Sequence, residues 1–201
     1  MEKFESLIAL AAPLLRPNID TDTIIPMELL LTVERKNLGP HALTPLRYAK
    51  DGTENPDFVL NRPGYRGARI LIAGVNFGCG SSREPAVWAL WAAGIRCVIA
   101  PSFGDIFFNN CFKNGMLPIV LPQSTVEDLA AAALPGSTFR VDLSTCVITT
   151  PAGRRVQFEV DPANREALLT GLDEIGMTLQ QDATIAAFER NDRQRRPWIH
   201  L

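Results

Sequence analysis

The fold is decided by residues 69–121, which read RILIAGVNFGCGSSREPAVWALWAAGIRCVIAPSFGDIFFNNCFKNGMLPIVL. Three short apolar runs in this stretch are typical of buried strands: Arg69 to Gly74, Cys97 to Ala100 and Leu117 to Leu121. Two helical patterns separate them: Pro85 to Ala93, and Phe103 to Asn114 followed by Gly115. This alternation predicts a central β-α-β-α-β unit with parallel strands, and therefore an α/β fold.

The segments on either side of this unit extend the predicted domain. Before it lie an extended apolar run, a polar turn and a long irregular segment: Ser6 to Leu15, Asn18 to Pro26, and residues 32–68. After it we expect a helix, three antiparallel strands and two short closing helices: Val126 to Ala133; Phe139 to Leu143, Cys146 to Thr150 and Val156 to Val160; Arg165 to Thr170 and Asp182 to Arg190. We therefore expect one domain, with antiparallel strands added to the central unit.

Composition limits the classes of function. The 201 residues carry 20 Lys and Arg against 22 Asp and Glu, so no broad positive field exists to bind nucleic acid. The first thirty residues lack a signal-peptide pattern, and no apolar run is long enough to span a bilayer. We therefore expect a cytoplasmic protein that binds neither nucleic acid nor a membrane.

Four separated cysteines argue against a metal centre within this chain. Cys79, Cys97, Cys111 and Cys146 include no Cys-x-x-Cys pair, which fits neither a disulfide framework nor a self-contained zinc or iron–sulfur site. We expect structural or spectator thiols and no metal ligands. Cys79 is the exception that could have a functional role, because it lies in the glycine-rich turn after the first strand of the central unit.

That turn, Asn76 to Glu84 (NFGCGSSRE), is the candidate functional site. It follows the carboxyl end of a predicted parallel strand, where ligands of such sheets bind. Ser81 and Glu84 form an S-x-x-E capping box, which is a common structural device at a helix start. Arg83 is unexpected there, since a cation at a helix N-terminus opposes the helix dipole unless an anion arrives. The residues leave both hypotheses open: a capped structural turn, or an anion-binding site.

Several motifs in the same order resemble one known family. They are NFGCGSSRE, Asn18 to Pro26 (NIDTDTIIP), Asp57 to Asn61 (DFVLN), Ala100 to Leu121, and Gly171 to Leu179 (GLDEIGMTL). Together they are similar to the small subunit of 3-isopropylmalate dehydratase, the swivelling domain of the aconitase superfamily. The resemblance covers about residues 6 to 189, so we divide the chain into a swivel domain, 1–189, and a basic C-terminal tail, 190–201. We expect the tail to be solvated, or alternatively to dock on a partner through Trp198.

The resemblance implies a swivelling β/β/α fold and a hydro-lyase made of two kinds of chain. A large subunit would carry a [4Fe–4S] cluster, and this chain would bind no cofactor of its own. The substrate would be a small dicarboxylic hydroxy acid, 2- or 3-isopropylmalate, interconverted by removal and re-addition of water in leucine biosynthesis.

The same resemblance implies roles for particular residues. Ser81 matches the base that removes a proton next to a carboxylate, and Arg83 matches the residue that holds a substrate carboxylate. Ser82 and the backbone of Gly80 would complete this cradle. Arg35 matches the arginine of the family's substrate-facing loop, and the residue type alone also allows an ordinary exposed arginine.

Supporting roles are expected for three acidic residues and for one helix. Asp20 and Asp22 would orient the serine or stabilise their loop, although Asp in a turn also bonds local backbone. Glu84 would support the turn as part of the capping box. The helix after Ser102 carries polar residues that we assign to framing the site from behind, without a catalytic role: Asp105, Asn109, Asn110 and Asn114.

The motif departs from the family at Pro85. Relatives continue Arg-Glu-His-Ala, whereas this chain reads Arg83-Glu84-Pro85-Ala86. Proline is tolerated in the first turn of a helix but disfavours α geometry in the residue before it. The departure keeps two alternatives open: a paralogous hydro-lyase chain that acts on another 2-alkylmalate, such as dimethylmalate or citramalate, and a non-catalytic anion-binding or lid module.

Overall fold

A computed structural model describes residues 1–81 and 83–199. In this part of the chain the strands are β1 Ser6–Leu14, β2 Ile70–Ala73, β3 Cys97–Ala100, β4 Leu117–Val120, β5 Thr138–Asp142, β6 Val147–Thr149 and β7 Arg155–Gln157. The α-helices are α1 Thr21–Ile24, α2 Met27–Leu30, α3 Thr44–Arg47, α4 Glu84–Ala92, α5 Asp105–Lys113, α6 Gln123–Ala132, α7 Pro162–Thr170, α8 Glu174–Leu179 and α9 Asp182–Arg195. Among the described residues, no helix is both long enough and apolar enough to cross a membrane.

The strands form one mixed sheet in the order β4-β3-β2-β1-β5-β6-β7. β2, β3 and β4 are parallel, as the alternation of strand and helix predicts, and β1 extends this parallel set by pairing with β2. On its other edge β1 pairs antiparallel with β5, which continues into the β6 and β7 meander. The expected α/β fold with a central parallel unit and added antiparallel strands is confirmed.

Two hydrophobic cores lie on opposite faces of the sheet, because successive side chains of a strand point to opposite sides. On β2, Leu71 and Ala73 pack in the core that includes α4, whereas Ile70 and Ile72 pack in the core under α6 and α7. The fully buried β2 and β3 thus read as continuous apolar runs, which is typical of parallel strands covered on both faces.

The sequence predicts an irregular segment at residues 32–68, but the structure shows a series of short helical turns there. Besides α3, the segment contains the 3-10 turns Arg35–Asn37, Gly39–His41, Val59–Asn61 and Pro63–Tyr65. Tertiary contacts set these turns, since Leu43 is fully buried and donates its N–H to the carbonyl oxygen of Ile24 at 2.8 Å. Turns of three or four residues are too short to show a periodicity in sequence.

The C-terminal part contains more helix than expected. The sequence does not predict α8, which begins after Asp173, whose carboxylate accepts the N–H of Gly176 at 2.7 Å. Helix α9 runs without a break through Arg195, so the proposed boundary between residues 189 and 190 falls inside it. The division into a swivel domain and a basic tail stays a prediction.

Candidate active site

The turn after β2 is fixed by the neighbouring turn after β3. Phe77 donates its N–H to the carbonyl oxygen of Ser102 at 3.1 Å, and Gly104 donates to the carbonyl oxygen of Phe77 at 2.9 Å. Parallel strands place the loops after their carboxyl ends at the same edge of the sheet. Residues 74–81 therefore lie at the edge where a doubly wound sheet binds its ligands.

Gly78 shows why this turn needs glycine. Its φ is +71°, which L side chains rarely adopt, and a Cβ placed there would lie closer than 3 Å to the ring of Phe107. The ring is buried and packs edge-on against Phe77, with ring centroids 5.5 Å apart. Backbone geometry and packing thus account for this glycine without any ligand.

The Asn18 to Pro26 motif lies directly against the turn, so the two motifs form one site. Thr21 donates its N–H to the carbonyl oxygen of Cys79 at 3.0 Å and its hydroxyl to that of Ser81 at 3.3 Å. Gly78 in turn donates its N–H to the carbonyl oxygen of Ile19 at 2.7 Å. Asp20 and Cys79 face each other across an isolated parallel bridge.

The capping box predicted for Ser81 and Glu84 is wrong. Helix α4 begins at Glu84 with Arg83 as its N-cap, and no described side chain caps it. Pro85 lies in the first turn, so the expected loss of helical geometry at Glu84 does not occur. The hydroxyl of Ser81 is therefore not used by the helix.

Ser81 and Gly80 are both exposed at the tip of the turn. Arg83 donates its N–H to the carbonyl oxygen of Ser81 at 2.8 Å, whereas no residue of 1–81 or 83–199 hydrogen-bonds the hydroxyl. Ser82, the other predicted substrate contact of this turn, lies outside the described residues. The serine hydroxyl is accessible to a bound molecule.

Arg83 points back across the turn to the first motif. Its Nη1 pairs with Oδ1 of Asp22, and its side chain is only 16% exposed, whereas that of Asp22 is 57% exposed. The Nε of Arg83 is buried and has no partner among the described residues. A half-buried guanidinium with unused donor capacity, beside an exposed hydroxyl, is suited to an anion.

Asp20 acts on local backbone rather than on the serine. Its carboxylate accepts the N–H of Thr23 at 2.7 Å as the N-cap of α1. Hydrogen bonds from Thr23 lower the pKa of this carboxyl, and the positive charges of Arg83 and Arg16 lower it further. Asp20 is thus an anion that stabilises the loop facing Cys79.

Glu84 and Arg35 meet at a different point, the side chain of Asn114. Glu84 Oε1 accepts a hydrogen bond from Asn114 Nδ2 at 2.8 Å, and Arg35 Nη2 donates to Asn114 Oδ1 at 2.9 Å. The Arg35 guanidinium also lies over the ring of Trp88, 4.2 Å from its centroid. The structure thus joins Asp20, Asp22, Gly80 and Ser81 with Arg83, and places Arg35 with Glu84 in an adjacent cluster.

The four cysteines do not form a metal site. Within residues 1–81 and 83–199, no group of three or more His, Cys, Asp or Glu side chains converges as metal ligands. Burial raises the pKa of Cys97 and Cys111. Burial and, secondarily, the charge of Asp20 raise the pKa of Cys79. Cys97 and Cys111 are fully buried, whereas Cys79 and Cys146 are half-buried.

Comparisons with protein families give matches over most of the chain. A family described as the aconitase C-terminal domain matches residues 1–124, and LeuD_N matches 127–162. The C-terminal domain of the 3-isopropylmalate dehydratase small subunits matches residues 174–200.

Individual relatives agree with the family matches. The 3-isopropylmalate dehydratase small subunit of Paramagnetospirillum magneticum is 57% identical over 201 residues, which are 99% of this chain and 100% of the relative. That of Rhodospirillum centenum is 57% identical over 200 residues, 98% of each chain. A crystal structure of 3-isopropylmalate dehydratase from Methanocaldococcus jannaschii superposes with a TM-score of 0.67 at 25% identity, covering 92% of this chain and 99% of that one.

Proposed function

This chain belongs to the family of 3-isopropylmalate dehydratase small subunits, and from that premise we propose that Ser81 and Arg83 are the groups it contributes to the reacting centre. The family is a hydro-lyase of leucine biosynthesis, which isomerises 2- and 3-isopropylmalate by dehydration and rehydration. One observation carries the proposal for the site: an exposed hydroxyl with no partner among the described residues lies two positions from a half-buried guanidinium.

Arg83 is proposed to bind a carboxylate of the substrate. With Nη1 paired to Asp22 and Nε buried, Nη2 is the nitrogen that remains to donate to a substrate oxygen. The side chain emerges at the start of α4, where the helix N-terminus favours an anion. A substrate carboxylate would therefore meet both the guanidinium and the positive end of the helix.

Ser81 is proposed to remove and return the proton next to that carboxylate. The N-terminus of a helix stabilises an adjacent anion by about 0.3 to 2 kcal/mol, which is too little to ionise a hydroxyl at neutral pH. Arg83 and the exclusion of water when the partner closes over the turn would supply the remainder. The exposure of Ser81 in the isolated chain fits this requirement, since a partner must cover it.

A small subunit has a large subunit as its partner. We propose that this partner carries the [4Fe–4S] cluster, because the four separated cysteines of this chain lack the spacing of a cluster site. Arg35 and Gly80 are also proposed to contact the substrate, and Ser82 is assigned the same role from its position in the motif. The supporting residues, which hold the site in shape, are proposed to be Asp20, Asp22 and Glu84. The cytoplasm is the proposed compartment.

The experiment is turnover by the reconstituted two-chain complex. Ser81→Ala should lower kcat by about 10²-fold or more while assembly is retained, since a positioned general base contributes that much. Arg83→Ala should lower kcat/KM. Ser144→Ala and Arg155→Ala are matched controls, because both residues are exposed, Ser144 in the turn between β5 and β6 and Arg155 on β7. If assembled S81A and R83A complexes turn over like these controls, the proposed roles are wrong.

A further inference from the structure

The side chain of Asn114 uses its whole hydrogen-bonding capacity. Its Nδ2 donates to Glu84 Oε1 at 2.8 Å and to the carbonyl oxygen of Asn110 at 2.9 Å. Its Oδ1 accepts from Arg35 Nη2 at 2.9 Å and from Trp88 Nε1 at 3.0 Å. A primary amide has two donor hydrogens and two acceptor lone pairs, so each is engaged.

These contacts join three separate parts of the site. Glu84 begins α4 immediately after Arg83, and Trp88 lies one turn further along the same helix. Arg35 begins the 3-10 turn Arg35–Asn37, whose residues are exposed. Asn114 itself is the C-cap of α5. One half-buried amide thus connects the arginine of the loop to the helix that follows the Ser81 turn.

Fixing Arg35 by these contacts has an energetic consequence. A free arginine side chain on the surface loses about 2 kcal/mol of rotamer entropy when it is held in one conformation. In this chain the hydrogen bond to Asn114 and the stacking on Trp88 hold the guanidinium before any ligand arrives. The ordering cost then does not weaken substrate binding.

We propose that Asn114 is a positioning residue that sets the placement of Arg35 relative to Arg83. This inference rests on the proposed function, in which both arginines face the substrate. The hydrogen bonds of Asn114 go to neither the proposed base nor the proposed carboxylate site, and it acts by holding the loop against the first two turns of α4.

The amide is specifically required, because it serves a carboxylate and a guanidinium at once. Aspartate at this position would still accept from Arg35 and Trp88, but it would offer no donor and would place its charge against Glu84. Glu84→Gln would restore the hydrogen bond with the donor and acceptor exchanged, since the Nε2 of glutamine can donate to an aspartate at position 114. The pair therefore allows a rescue test.

The test compares N114A, N114D, E84Q and the N114D/E84Q double variant in complex with the large subunit. We expect N114A and N114D to raise KM for isopropylmalate about tenfold, the size of one lost hydrogen bond to a charged group, with kcat changed less than about threefold. N114D/E84Q should lower KM again relative to N114D, because it restores the bond between positions 84 and 114, although not the one to the carbonyl oxygen of Asn110. Asn191→Asp, exposed on α9, controls for the added charge. No rescue, or an unchanged KM in N114A, overturns the proposal.

A second measurement does not need turnover. In the free chain with Trp91 and Trp198 replaced by Phe, Trp88 is the only remaining tryptophan, and its emission can be excited selectively at wavelengths that the two tyrosines do not absorb. N114A should release Arg35 from the ring and increase quenching by acrylamide, whereas N191D should not. An inactive wild-type complex would reject the proposed function alone, and unchanged quenching in a folded N114A chain would reject the role of Asn114.

Discussion

Arg83 and Asp22 form an ion pair although they lie 61 positions apart in the sequence. The pair joins the glycine-rich turn to the one-turn helix α1 that precedes the long loop. Asp22 engages Nη1 and can hold the guanidinium in place, while Nη2 remains for a ligand. The contact makes one site of two motifs that no local sequence pattern places together, and only the family resemblance implies that Asp22 lies near the turn.

Asp22→Asn should lower activity much more than it lowers stability. Asp22 is mostly exposed, and ion pairs with such exposure contribute about 0 to 1 kcal/mol to folding. The loss of its charge should, however, leave Arg83 less firmly oriented and reduce kcat/KM about tenfold. Thermal melting of the chain and turnover of the complex measure the two effects, and Asp182→Asn on α9 is the control. A large fall in melting temperature with unchanged kcat/KM would contradict this interpretation.

Asp20 should contribute stability that depends on pH. Because hydrogen bonds from Thr23 lower its pKa in the folded chain, the contribution is complete above the ordinary value of 3.8 and is lost as pH falls through the lowered pKa. Asp20→Ala should cost about 1 kcal/mol at pH 7, as the loss of an N-cap does. The difference from wild type should shrink in urea unfolding below pH 3.8.

Asp20→Asn separates the cap from its charge. Asparagine is as good an N-cap as aspartate but does not titrate. This variant should therefore retain most of the stability at pH 7 and show a weaker pH dependence than wild type. An equal loss of stability in D20A at all pH values would mean that the carboxylate is not what stabilises the turn.

Gly78→Ala should be among the most damaging substitutions in the turn. The new Cβ would require both a positive φ and a place inside contact distance of the Phe107 ring, and overpacking a core costs about 1 to 3 kcal/mol. Gly94→Ala is the matched control, because φ there is +97° but nothing lies within 4 Å of the added Cβ. Urea unfolding should show a clearly larger loss for G78A, and equal losses would mean that the backbone alone sets the requirement.

Sequence patterns predict the sheet but not the contacts around the site. The parallel strands can be identified because apolar runs such as Ile70–Ala73 alternate with helices. The predicted capping box is wrong because a motif gives spacing and not geometry: Ser81 lies too early in the turn, and Arg83 takes the cap position. For Asn114 the sequence indicates only a framing role, and a poor helix former at a helix end is its one signal. Three of its four partners, Arg35, Glu84 and Trp88, come from distant parts of the chain, which no local pattern encodes.

Cys79 should react slowly with iodoacetamide at neutral pH, because burial raises its pKa and the thiolate is the nucleophile. Asp20 faces this residue and raises the pKa further, so Asp20→Asn should speed its alkylation by removing that charge. Cys97 and Cys111 are fully buried and should remain unmodified in the folded chain. Mass spectrometry of each modified peptide over time gives the rates. Faster modification of Cys97 than of Cys79 would show that the chain opens before it reacts, and an unchanged Cys79 rate in D20N would exclude electrostatic control by Asp20.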